Sequence, residues 1–340
     1  MIDYVHLSHL VNIPERAFNP IMWKEKTYPD EGRYFVRSIR GVHLRYYPSK
    51  TLFTIEGKLL MLLRDTQVHN VDDVYGADTD QFIKDINDHL NRLFPHPYFD
   101  IRDFYVYRID YCFNINTRYV KTYLDFLNTA FARCENGNRI NHVKEQNLDG
   151  SIYVRTASDY KHKTLKNYTL NFYDKEDCLR KKQADGERVL DADFAHAKDI
   201  LRLEVQCGYV FIDQLCKRAG IPNCFGCLFD YNIAFLAEEL IYSRVFGCEI
   251  EQDFYSYYEA KKLLPAKSNA AKKALYDAST LHSIRGDKYA RGRKVIKEAG
   301  IYPFCFLPKE CGVDRLDNPL KLIAHKVDGI FTELEYDRSR

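Results

Sequence analysis

Two periods alternate along the first ~210 residues of this chain. Stretches with apolar residues at every second position predict half-buried strands, and stretches with apolar residues every three or four predict amphipathic helices. Residues 33–48, "RYFVRSIRGVHLRYYP", and 51–58, "TLFTIEGK", predict strands of a hairpin or meander. Residues 78–94 predict a helix capped by an aspartate, with Phe82, Ile83, Ile86 and Leu90 on one side. A long strand is predicted over 103–115, a helix over 117–134, and an antiparallel pair over 150–158 and 167–175. Residues 153–166 predict either a basic, aromatic loop suited to contacting a partner or a polar hairpin tip. The strand 200–208, "ILRLEVQCG", runs into a helix over 209–220.

Strands and helices thus fall into two successive sets, near 33–94 and 102–220. Together they predict an α+β fold: a duplicated antiparallel sheet with helices covering one face. After Pro222 the pattern becomes almost wholly helical, over 231–247, 252–264, 268–283 and 287–299. The expected domains are therefore 1–222, α+β, and 223–340, helical and partly basic. No repeat of 20–50 residues and no low-complexity tract is evident.

Period two also assigns faces. On 103–115, Tyr107, Ile109, Tyr111 and Phe113 share the packing face, and Arg108, Asp110, Cys112 and Asn114 share the other. On 200–208 the polar side carries Arg202, Glu204 and Gln206. On 51–58 it carries Thr54, Glu56 and Lys58, and on 167–175 Thr169, Asn171, Tyr173 and Lys175. If these strands are neighbours, Asp110, Glu204 and Glu56 converge. Converging carboxylates repel unless a cation neutralises them, and all-oxygen ligation suits Mg²⁺ or Mn²⁺. A metal, a tyrosine hydroxyl and nearby basic groups point to phosphoryl transfer, with Lys175 placed to stabilise the Tyr173 phenolate or the phosphate. The plainer readings are a tyrosine chosen as a β former and two structural ion pairs, Arg108–Asp110 and Arg202–Glu204.

Composition narrows the class only a little. The 340 residues are 46% hydrophobic and 29% charged, with a net charge of +2, the profile of an ordinary soluble protein. No apolar run reaches the ~20 residues of a membrane span. The N-terminus lacks the marks of a signal peptide, so a cytoplasmic protein with reduced cysteines is expected. Charge distribution says more: between Lys261 and Gly300 eleven Lys or Arg face three Asp or Glu, a footprint for phosphates or a solvated helical face. "NCFGC" (223–227) has no second Cys pair to complete a zinc site and reads as a tight turn.

The segments "YRIDYCFNI", "GSIYVRTASDYKHKTLKNYTLNFYDKEDCLRKK" and "ILRLEVQCGYVFIDQLCKRAGIP", in this order, resemble the rolling-circle replication initiators of filamentous phages, the gene II type, and of staphylococcal-type plasmids. The likeness covers roughly residues 50 to 222. It implies a metal-dependent tyrosine endonuclease and strand transferase that nicks one strand at an origin. The enzyme would keep the 5′ end as a phosphotyrosine, leave a 3′-OH primer for rolling-circle replication, and later rejoin the strand. By this resemblance Tyr173 is the nucleophile and Lys175 its helper, and Asp110, Glu204 and Glu56 hold Mg²⁺ or Mn²⁺. The His-hydrophobe-His metal motif of many nickases is absent. The implied partners are origin DNA, both duplex and single-stranded at the nick, and the helicase and polymerase of a bacterial host. Two other readings stand beside it, a conjugative relaxase acting at a transfer origin and a non-catalytic DNA-binding repressor.

Basic residues suggest where DNA is held. Arg108 and Arg202 flank the acids. Arg155, Lys161, Lys163 and Lys166 lie beside Tyr153 and Tyr160 in a segment suited to phosphate pairing and base stacking. Arg285, Lys288, Arg291, Arg293 and Lys294 are candidates for duplex phosphates, contacts that position a protein without reading sequence.

Overall fold

In the computed structural model, ten strands form one antiparallel sheet. The structure describes residues 1–324 except 30–31, 67, 70, 77, 97, 134–141, 146–149, 248–251, 281–286, 302–305 and 308–311. The strands are β1 (Ile2–Leu10), β2 (Lys24–Tyr28), β3 (Gly32–Ile39), β4 (Val42–Tyr47), β5 (Leu52–Gly57), β6 (Tyr105–Asn116), β7 (His142–Glu145), β8 (Ile152–Thr156), β9 (Tyr168–Asp174) and β10 (Ile200–Gly208). Their order is β2-β3-β4-β5-β1-β6-β10-β9-β8-β7. The two halves repeat one topology: a four-strand meander whose last strand pairs with the half's first. β1 and β6, the two first strands, pair with each other at the centre.

The predicted strand over 33–48 divides at Arg40 and Gly41, whose φ angles of 46° and 82° suit a two-residue hairpin turn. Gly57 also needs its missing side chain, because a Cβ there would lie 2.9 Å from Val42 Cα. β1 was not foreseen as a strand. It alternates like one: Val5 and Leu7 are buried in the core, while His6 and Ser8 lie on the other face.

Thirteen helices are described: α1 (Leu60–Leu63), α2 (Val71–Tyr75), α3 (Thr79–Asn91), α4 (Val120–Arg133), α5 (Ala157–His162), α6 (Lys175–Ala184), α7 (Asp191–Ala197), α8 (Tyr209–Ala219), α9 (Phe225–Leu228), α10 (Tyr231–Phe246), α11 (Tyr257–Leu263), α12 (Asn269–Ser279) and α13 (Ala290–Glu298). Asp78 caps α3 by accepting from the Gln81 amide, as its position predicted. Helices α4, α8 and α10 pack on strands of the second half. Tyr242 and Phe246 of α10 meet Phe172, so the chain beyond residue 222 contributes to the same hydrophobic cluster. The region after α10 is mostly helical, as its periodicity predicted, but Phe254–Tyr255, inside the helix expected over 252–264, pairs antiparallel with Arg315–Leu316. No helix among the described residues is long and apolar enough to cross a membrane.

The structure corrects the sequence reading in three further places. Tyr107 does not share a face with Ile109: the register between β1 and β6 shifts after the His6–Arg108 pair, Val106 takes the buried position, and Tyr107 is 43% exposed. The expected hairpin tip contains α5, capped by Thr156. Asp159, buried in it, accepts from the Lys166 and Asn167 amides. Finally, helices do not cover one face only. α6 packs on β9 and β10, and its Leu179 joins Val68 and Ala197 in a small separate cluster over one end of the polar face.

Candidate active site

The pairing registers turn the polar positions into rows across the sheet. Tyr4 lies opposite Asp110, which lies opposite Gln206. Cys112 lies opposite Glu204, which lies opposite Asn171, which lies opposite Tyr153. Asn114 lies opposite Arg202, and Arg202 opposite Tyr173. The strands that carry Asp110, Glu204 and Tyr173 are therefore neighbours, in the order β6-β10-β9.

The Tyr173 hydroxyl donates to Glu204 Oε2 at 2.9 Å. Glu204 also accepts from Gln206 Nε2 at 2.9 Å and Asn171 Nδ2 at 3.3 Å. Arg202, with 0% exposure, sends Nη2 to Asp3 Oδ1 at 2.9 Å and holds Nε 4.0 Å from Glu204 Oε2. Its Nη1 reaches the Val68 carbonyl at 3.4 Å, which pins the segment before α2 over the site. Tyr173 is only 6% exposed, since α6 folds back over the end of β9 and the Tyr153 ring stacks alongside at 6.2 Å. Burial and the Glu204 charge push its hydroxyl well above the ordinary value, while Arg202 works the other way. A standing phenolate is therefore disfavoured, and any attack by this oxygen has to release its proton to Glu204 as it proceeds.

A cavity of about 240 Å³ adjoins the ring, lined among others by Asp3, Tyr4, Arg40, Lys58, Tyr173, Lys175 and Lys182. Lys58 Nζ lies 3.1 Å from Asp3 Oδ1. Burial works to raise the Asp3 carboxyl, but Arg202 and Lys58 hold it well below the carboxylate range. Lys175 is 3% exposed, and its ammonium lies 5.9 Å from the Tyr173 ring centre. Burial, with Arg202 and Lys58 nearby, pulls its pKa down to about 7.

Tyr4 forms a second tyrosine–carboxylate pair, donating to Glu56 Oε1 at 2.9 Å. Arg45 holds the other Glu56 oxygen at 2.7 Å, and the Arg108 guanidinium lies 4.5 Å from the centre of the Tyr4 ring. Sequence reasoning missed Asp3, Tyr4 and Arg45. The alternation of "IDYVHLSHL" was the available signal for the first two.

The three acids expected to hold Mg²⁺ or Mn²⁺ are each engaged otherwise. Asp110 takes two hydrogen bonds from Arg108, at 2.8 and 2.6 Å. Burial drives its pKa up to about 7, although Arg108 favours the charged form. Glu56 and Asp110 stand two strands apart, roughly 10 Å. Asp110 and Glu204 are diagonal neighbours whose backbones stand roughly 7–8 Å apart. Among the described residues no three His, Cys, Asp or Glu side chains are grouped to hold a metal. The donor set as arranged does not fit a divalent ion held by these three residues.

The expected DNA contacts divide. Arg202 is sealed in the site and Arg108 is bound to Asp110, so both charges act on side chains. Arg155 pairs with Glu145 at 2.7 Å. Lys161, Lys163 and Lys166 are exposed around α5. On α13, Arg291 and Lys294 are exposed, Lys294 near Glu298, and Arg293 is half-buried. Lys288 is exposed just before that helix, and Arg285 lies outside the described residues. Cys224 and Cys227 are free, half-buried thiols, but the segment forms the one-turn helix α9, with Cys224 at its N-cap, instead of the expected tight turn.

No family model matches this sequence, and no curated protein matches it. Among solved structures, a rolling circle replication initiator protein from Geobacillus stearothermophilus aligns with a TM-score of 0.29 and 10% sequence identity, over 65% of this chain and 80% of that one. A likeness that weak does not establish a shared function.

Proposed function

We propose that the protein is a replication initiator that nicks and rejoins one DNA strand through Tyr173. The observation that carries this reading is the hydrogen bond from the Tyr173 hydroxyl to Glu204, beside the buried Arg202 and the cavity that holds Lys175. In the proposed step the Tyr173 oxygen attacks a backbone phosphorus as its proton passes to Glu204. The new bond joins phosphorus to Tyr173, and the bond to the 3′ oxygen breaks. That oxygen takes a proton from water and becomes the 3′-OH primer. Lys175 stabilises charge on the phosphoryl oxygens. The 5′ end stays on the enzyme as a phosphotyrosine, and attack by a 3′-OH reverses the step. Because the bond exchanged is of similar energy, rejoining needs no nucleotide cofactor.

Exposed basic groups on α5 and α13 would hold origin DNA. The host helicase and polymerase would act on the opened strand in the bacterial cytoplasm. Mg²⁺ and Mn²⁺ belong in the assay as variables. The test is incubation with a supercoiled plasmid carrying the cognate origin, followed by peptide mapping of any covalent DNA adduct. Relaxed circles and an adduct on Tyr173 support the proposal. An adduct on Tyr4 would move the chemistry to the Tyr4–Glu56 pair. A mobility shift with neither product would leave a DNA-binding protein without this activity.

A further inference from the structure

The cavity beside Tyr173 carries four cationic side chains, Arg40, Lys58, Lys175 and Lys182, and a single acid, Asp3. Asp3 is already shared between Lys58 and Arg202, and Lys182 reaches Glu187 outside the cavity at 3.8 Å. Lys175 is almost fully buried and makes no hydrogen bond or ion pair among the described residues. A buried ammonium whose nearby acid, Asp3, is already paired with two other cations is costly, and like charges close by add to the cost. The walls around it are fixed. Arg40 and Gly41 come from the hairpin turn between β3 and β4. Lys58 follows β5 directly, and Asp3 and Tyr4 belong to the central strand. Lys175 and Lys182 sit at the first and last turns of α6. The volume takes several waters at ~30 Å³ each, room for a phosphate group with its bridging atoms. Both tyrosines that donate to glutamates, Tyr4 and Tyr173, line it.

We infer that this cavity is a phosphate-binding site, built to hold one phosphate of the DNA backbone beside the Tyr173 hydroxyl. A phosphate monoanion or dianion adds negative charge where Asp3 is shared among several cations, and charge-assisted hydrogen bonds to several cations are the strong class of such contacts. The identification of that phosphate with the strand being cut rests on the nicking proposal; the anion site itself does not.

The test uses the full chain and inorganic phosphate as the probe, followed by ³¹P line broadening and by the thermal midpoint. Wild-type protein should show saturable binding, and so should Lys26→Ala, a control at an exposed position of β2. Lys175→Met and Lys182→Ala should each weaken binding, the former at least tenfold; both leave the Asp3–Arg202 pair intact. A single-stranded oligonucleotide spanning the nick should displace the bound phosphate. Absence of saturable binding, or unchanged binding in both variants, overturns the site. Simultaneous binding of phosphate and oligonucleotide overturns its assignment to the strand. Phosphate binding without any nicking leaves the site standing and removes the nicking proposal; nicking without phosphate binding does the reverse.

Discussion

Replacing Lys175 by methionine tests the central electrostatic claim without any DNA. The ammonium is 3% exposed, and its pKa falls from 10.5 to about 7. The unfolded chain therefore binds more protons than the native one between about pH 7 and 10.5. Stability contributed by this group is lowest below pH 7 and recovers as pH rises through that window. The shift corresponds to a penalty of roughly 4 kcal/mol at pH 7. Near pH 8 the wild type should gain about 1.2 kcal/mol per pH unit from this residue alone. Methionine keeps the length, fills the space and carries no charge. Lys175→Met should therefore be the more stable protein at pH 7, with an advantage that shrinks towards pH 10. The assay is urea unfolding at pH 7, 8 and 9 in an anion-poor buffer, read as the difference between the two proteins. Parallel pH profiles, or a variant less stable at every pH, would refute the reasoning.

Four further outcomes are expected. Tyr173→Phe should abolish the covalent adduct while costing only about 1 kcal/mol of stability, because Asn171 and Gln206 still donate to Glu204; an adduct count and an unfolding midpoint check both. Glu204→Gln, nearly isosteric, should lower the nicking rate by a factor of ~10²–10⁴ if the carboxylate takes the tyrosine proton, with origin affinity within a few-fold of wild type by mobility shift. Asp3→Asn should destabilise the fold by about 3 kcal/mol, since it leaves the buried Arg202 with only the longer contact to Glu204; a urea midpoint measures it. Adding Mn²⁺ to the free protein should leave its melting temperature unchanged, because Asp110, Glu204 and Glu56 are each engaged elsewhere and no group of three ligands is present among the described residues.

Much of this site was legible because strands repeat with period two. "ILRLEVQCG" and "NYTLNFYDK" assign Glu204, Arg202 and Tyr173 to polar faces with no knowledge of sheet order, and the register agrees. Four things were not legible. The strand β1 carries ordinary alternation, but its partners lie about 50 and 100 residues away, and nothing local announces that pairing. The bulge at Tyr107 adds one residue to β6 and so breaks the face arithmetic beyond it. Helix α6, "KEDCLRKKQA", looks like a solvated helix, since Leu179 is its chief apolar contact; yet it buries Tyr173 and Lys175. The grouping of acids into a metal site assumed that adjacent strands bring carboxylates together. Register placed Arg108, Arg202 and Arg45 among them instead, and each carboxylate found a cation or a hydroxyl.

The placement of β1 bears on how the chain reaches its native state. The meander β2–β5 closes through short connections, but the middle of the molecule joins residues 2–10 to residues 105–116. The segment synthesised early thus waits for a partner made much later, and loop closure over that distance is slow compared with hairpin formation. The two halves can organise separately before the seam between them zips. Substitutions at the seam, such as Val5→Ala or Ile109→Ala, should slow the last phase of refolding while leaving the early hairpin phases untouched.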